Sequence, residues 1–210
     1  MKKCLLVLFV CTACCAFAQK SFFGVDAGIN VANQRVVLTN YLGPYPSGKN
    51  FFYNVIKPTF GIFYQYGFTE KVALRGGARY MGLGYRLPQT NSFVYTVKDN
   101  VDISYLTLPL SVHYHANKQF ILNAGVYLSF TLGGTDRANE EITKTYHKND
   151  FGFSLGGEHG IYKNLALGVN YFIGLKNIWL NDEGGNLKQT NRALQFTLIY
   201  KFKKTLTPNS

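Results

Sequence analysis

From Phe22 onward, apolar residues recur at every second position and small or polar residues fill the positions between them. That period of two is the signature of strands; the 3.6-residue period of an amphipathic helix is absent. Eight segments carry the pattern. The first, Phe22 to Asn33, sets Phe23, Val25, Ala27, Ile29 and Val31 on one face. The second, Ile56 to Tyr66, sets out Phe60, Ile62, Tyr64 and Tyr66, and the third, Val72 to Tyr85, sets out Val72, Leu74, Ala78 and Tyr80. The fourth, Val101 to His115, runs through Leu106, Leu108, Leu110, Val112 and Tyr114. The fifth, Phe120 to Leu132, is apolar at every even position, Ala124 included. Asp150 to Ile161, Leu165 to Ile178 and Arg192 to Phe202 complete the set. Each is long enough for the roughly 9–11 residues that a tilted strand needs to cross a bilayer.

The connections alternate in length. Those near Gly67–Lys71, Ala116–Gln119 and Tyr162–Asn164 are short, whereas Gln34–Val55, Arg86–Asn100, Gly133–Asn149 and Trp179–Asn191 are long and polar. An even strand number with this asymmetry predicts an all-β fold, an eight-stranded antiparallel up-and-down transmembrane β-barrel. Both chain ends then lie in the periplasm and the long loops outside the cell.

Alternation alone also fits a soluble barrel with its apolar face inward, and charge separates the two. Of 31 charged residues after position 18, five sit well inside the segments: Asp26, Arg75, Arg79, Glu158 and Lys176. All five share the small, polar face. A water-facing exterior needs many more. On a lipid face an Arg or Lys at mid-bilayer costs about 2–4 kcal/mol, which explains the vacancy on the apolar side. Eight strands must close, because hydrocarbon leaves no partner for an open edge. A barrel of that size is about filled by its own side chains, which argues against an open pore.

The front end reads as an address. Lys2 and Lys3 precede an apolar stretch from Cys4 to Ala16, and Ala16-Phe17-Ala18 makes a small-x-small cleavage site. The expected division is residues 1–18 as cleaved signal peptide, 19–202 as barrel and 203–210 as a periplasmic tail. Cys14 after Ala13 opens a rival reading as a lipoprotein, but Cys11 stands where a large aliphatic residue is expected. All four cysteines lie in the signal, so a mature chain has no thiol for a disulfide, a metal or a nucleophile. Without Lys2 and Lys3 the balance is 20 basic to 11 acidic residues, or +9. Anionic lipid head groups or sugars suit that surplus, as does plain loop solvation. Export excludes nucleic acid as a partner.

Several stretches resemble the PorT-like outer-membrane β-barrel family of Bacteroidota: Tyr105-Leu-Thr-Leu-Pro-Leu, Asn123-Ala-Gly-Val-Tyr-Leu-Ser-Phe and Phe151-Gly-Phe-Ser-Leu-Gly-Gly. The run from Leu165 to Ile178 and the closing Phe196-Thr-Leu-Ile-Tyr-Lys-Phe extend the likeness over the whole chain except its loops. The resemblance implies an outer-membrane barrel without an assigned activity, and its name-giving member implies a link to secretion. Family chains usually stop near the terminal aromatic; here Lys203 to Ser210 follow Phe202.

Three constellations are candidates for chemistry. Asp26, Arg75, Arg79, Glu158 and Lys176 form an expected lumenal ion-pair network, since buried charges persist only when paired; a rigid plug is the first reading, a gate or small anion site the second. Ser111 and His113 share an inner face, and Glu158 is a candidate third member of a hydrolytic set, although residues two apart on a strand need not hydrogen-bond. Tyr41, Tyr45 and Trp179 are candidate loop contacts for a partner or glycan, or else rim anchors. His115, His147 and His159 do not have metal-ligand spacing. The expectation is a monomeric, non-enzymatic barrel without cofactor, in contact with outer-membrane lipid and envelope or secretion proteins. A lipid- or glycan-modifying hydrolase and a narrow channel are the alternatives.

Overall fold

The structure, a computed structural model, describes residues 21–38, 52–86, 100–135, 146–180 and 187–202. Eight strands follow in chain order: β1 (Phe22–Leu38), β2 (Val55–Gly67), β3 (Val72–Arg86), β4 (Asn100–His115), β5 (Phe120–Thr135), β6 (Asn149–Tyr162), β7 (Leu165–Gly174) and β8 (Leu187–Phe202). Each pairs antiparallel with its sequence neighbours, and β1 pairs with β8, closing the barrel. That seam runs without a break from Phe23↔Phe202 to Leu38↔Leu187.

Sidedness follows the alternation. Phe23, Ile62, Leu108, Leu122, Leu155 and Leu198 are exposed on the outer wall, while Asn30, Gln65, Thr107, His113 and Gln195 are buried inside. This is the reverse of a soluble barrel. Aromatic side chains gather at the end carrying the short turns. There Tyr66 meets Phe68, Tyr200 meets Phe202, and Phe120 lies against His159, with ring centroids 5.1, 5.0 and 4.6 Å apart. They form the aromatic belt expected where a barrel wall passes an interface. The turns are held by side chains: Thr69 Oγ accepts from the Val72 amide at 2.9 Å, and Asn117 Oδ1 from the Phe120 amide at 2.7 Å.

The strands differ from the sequence expectation at the other end, the loop end. β1 continues to Leu38 and β8 begins at Leu187, each about five residues further than the apolar alternation predicts. β7 stops at Gly174, not at Ile178. Beyond it the chain turns over the mouth, where the Ile178 amide donates to Gln189 O at 2.9 Å and the Ile178 side chain is fully buried. A register shift opposite Ser104 and Tyr105 leaves β5 with an extra residue, next to Gly133 at φ +155°; such a bulge bends the strand. The expected signal, residues 1–18, and the tail, 203–210, lie outside the described residues, as do Tyr41 and Tyr45.

Candidate functional site: a packed lumen

The interior has two halves. Toward the short turns it is ionic. Arg75, from β3, meets both oxygens of Glu158, from β6, in a bidentate pair whose second contact is 3.2 Å. Lys201 of β8 donates to Glu158 Oε2 at 2.9 Å. Arg75 also donates to Gln65 Oε1 at 2.7 Å, and its guanidinium lies 4.2 Å from the Phe63 ring centre. Gly24 makes room for that ring: a Cβ there would stand 2.2 Å from Phe63. One turn of the wall higher, Arg79 donates to Asp26 at 2.8 Å and also to Gln195. Charge-assisted bonds of this kind are about twice as strong as neutral ones, and each buried ion here has an opposite partner.

Toward the loop end the lining turns apolar. Met81, Leu83, Tyr85, Val101, Ile103, Tyr105 and Ile178 form one buried cluster with Tyr146, and Phe52 and Trp179 pack against it. Phe52 stacks on Tyr85 at 3.9 Å, Tyr85 and Tyr146 share a hydroxyl bond of 2.9 Å, and Trp179 meets Tyr146 edge-on at 5.4 Å. Burial, reinforced by the Tyr85 hydroxyl, pushes the Tyr146 phenol well above its ordinary value, so it remains a neutral hydrogen-bonding group. Amides stitch this cluster to the ionic half: Gln34 to Asn191 at 3.0 Å, Asn191 to Asp150 at 2.9 Å, and Gln195 to Asn30 at 2.9 Å.

Four of the five expected network members therefore come together, as two pairs. Lys176 does not join them. It lies past the end of β7 and bonds Asn149 at the exposed rim, because β7 stops short. Lys201 takes the place expected for it. Lys201 and Asp150 carried the right parity, but each stands within a residue or two of a strand end, where a charge is usually solvated. Trp179 sits half-buried on the mouth cluster.

A family model described as outer membrane protein beta-barrel domain matches residues 4–202. The chain belongs to that family. Solved outer-membrane barrels are among its structural neighbours. Neisserial surface protein A is 14% identical, with a TM-score of 0.51, over 86% of this chain and 97% of that one. OprG of Pseudomonas aeruginosa is 11% identical, with a TM-score of 0.47, over 90% and 98%. Ail of Yersinia pestis, solved with the heparin analogue sucrose octasulfate, is 13% identical, with a TM-score of 0.46, over 87% and 99%. Among curated proteins none matches in sequence. The outer-membrane family places this barrel in the envelope of a Gram-negative cell.

Among the described residues, this outer-membrane barrel has one nucleophile-and-base contact. Ser111 Oγ lies 2.9 Å from His113 Nε2, closer than their spacing requires. His113 Nδ1 stands 3.7 Å from Glu158 Oε1, too far for a hydrogen bond. Both Glu158 oxygens are held by Arg75 and Lys201. The cavity that Ser111 and His113 face has a volume of about 40 Å³, room for about three waters. Among the described residues, no group of three His, Asp or Glu side chains converges as a metal site.

Proposed function

We propose that this outer-membrane barrel is a non-enzymatic, non-conducting element of the envelope wall, whose role is carried by its long loops. The observation behind this reading is the filled lumen. An ionic plug fills one half, an aromatic and aliphatic plug fills the other, and the cavity within the ionic half is too small for a sugar or an acyl chain. A fold that closes its own interior leaves its surface for function. The short turns and both chain ends face the periplasm in this reading, and the four long connections face outward. The strand motifs further favour a PorT-like barrel of Bacteroidota, with a structural, surface-interaction or secretion-accessory role.

Planar bilayers test the closed lumen. The wild type is expected to show no single-channel steps, and stable nanosiemens conductance would overturn the reading. Protease treatment of intact cells tests the orientation, with cleavage expected in the long connections and not in the short turns. The Ser111–His113 contact favours a second reading, a lumenal hydrolase. Turnover of outer-membrane lipid by the wild type that disappears in His113→Ala would establish it.

A further inference from the structure

Above the apolar band, the outer wall of β1 and β8 changes character. Arg35, Lys188 and Arg192 project outward there, as the pairs Arg35↔Thr190, Val37↔Lys188 and Asn33↔Arg192 require. Arg35 is thus diagonal to both other cations on one face, a spacing of about 7–8 Å. The lumenal cations all have acidic partners, but among the described residues no acid pairs with any of these three. Arg192 Nε is shielded from solvent and bonded to nothing. Two shallow depressions flank Arg35 and Arg192. One, of about 250 Å³, includes Asn33, Asn54 and Tyr171; the other, of about 240 Å³, includes Ile173 and Lys188.

Their height on the wall is the second observation. Arg192 stands two positions beyond Leu194 and Arg35 four beyond Val31 on the same face, about 7 and 13 Å along the strand. In the orientation proposed above, the outward positions just past Val31 and Leu194 meet the lipid head groups, directly above the acyl chains. Three like charges on one face repel one another, and a polyanion at that level relieves the repulsion. Guanidinium groups suit it, since their paired N–H donors match phosphate oxygens.

We propose that this wall binds the phosphate groups of an anionic glycolipid in the outer leaflet. Arg35 and Arg192 grip phosphate through paired donors, Lys188 adds a third charge, and acyl chains lie along Val31, Leu194 and Tyr171. The proposal rests on the orientation given above, which protease accessibility on intact cells reads independently.

The test reconstitutes the mature barrel in nanodiscs containing bisphosphorylated lipid A and measures lipid retained after detergent exchange by native mass spectrometry. The wild type is expected to retain one lipid, and R35Q/R192Q to retain about 30-fold less, the effect of removing two charges near an anionic surface. R86Q, a loop-end cation on β3, should match the wild type. Heat-modifiable migration on gels verifies that each variant is folded. Equal retention by wild type and R35Q/R192Q overturns the proposal, as does equal retention of dephosphorylated lipid A. Complete displacement by millimolar inorganic phosphate would make it a site for soluble anions, and equal retention of phosphatidylglycerol a generic anionic surface; either result also overturns it.

Discussion

The two halves of the lumen are filled by opposite means. Near the short turns, Arg75, Glu158 and Lys201 hold the strands together through charge. Near the loops, Met81, Ile103, Tyr105 and Tyr146 do so by packing. The difference follows from what surrounds each half. The ionic half is sheathed by the apolar outer wall, so its polar side chains have only one another. In the upper half, apolar residues of β3 and β4 turn in beside the amides of Gln34 and Asn191, while on β1 and β8 Arg35, Lys188 and Arg192 turn out. One barrel is therefore inside-out over its lower length and mixed at its top, where cations stand on the outer wall of β1 and β8 and apolar side chains fill the mouth.

Substitutions should separate the two regimes. Glu158→Gln leaves two buried cations without a counter-charge and is expected to cost about 3–5 kcal/mol in urea unfolding from bilayers. A loss below 1 kcal/mol would mean that the ionic half is wet and that the contrast is overstated. Ile103→Ala, in the packed half, should cost about 2–4 kcal/mol through its cavity, with no change in salt dependence. On the outer wall, Leu108→Arg should cost about 2–4 kcal/mol, whereas Thr107→Ser, one residue away and facing in, keeps its bond to Ser129 and should assemble normally. Equal tolerance of both would reverse the assigned faces. Asp26→Asn should destabilise the barrel by orphaning Arg79, and the double variant D26N/R79M should recover most of that loss, since an apolar replacement of a buried pair is often neutral. The smallest effect belongs to Tyr85→Phe, about 1 kcal/mol for one hydroxyl bond, read from the same unfolding curves.

The strands and their faces were legible because lipid leaves a blunt mark: every second residue is apolar and uncharged from Phe120 to Leu132 or from Leu194 to Phe202. The loop-end extensions were not legible, because past Asn33 the outward positions become Arg35 and Val37 and the alternation loses its sign. For the same reason the mouth cluster was missed, since inward Val101 and Ile103 read as ordinary strand residues. Within the network, parity identified Asp26, Arg75, Arg79 and Glu158, but partner choice depends on cross-barrel register, which periodicity does not carry. Lys176 and Lys201 both have inward parity; Lys176 was favoured because the alternation carries its segment on to Ile178, whereas Lys201 stands next to a strand end. The Ser111–His113 contact depends on rotamers, and no spacing rule reveals it.

The seam between β1 and β8 joins residues that are 149 to 179 positions apart in the chain. Until β8 is in place, a partly assembled sheet exposes two rows of bare amides and carbonyls, which hydrocarbon does not tolerate. Entry into the bilayer is therefore tied to the arrival of the last strand: a ribosome stalled, or a chain clipped, before Leu187 yields a polypeptide with seven strands in six hairpin pairings and no way to seal itself.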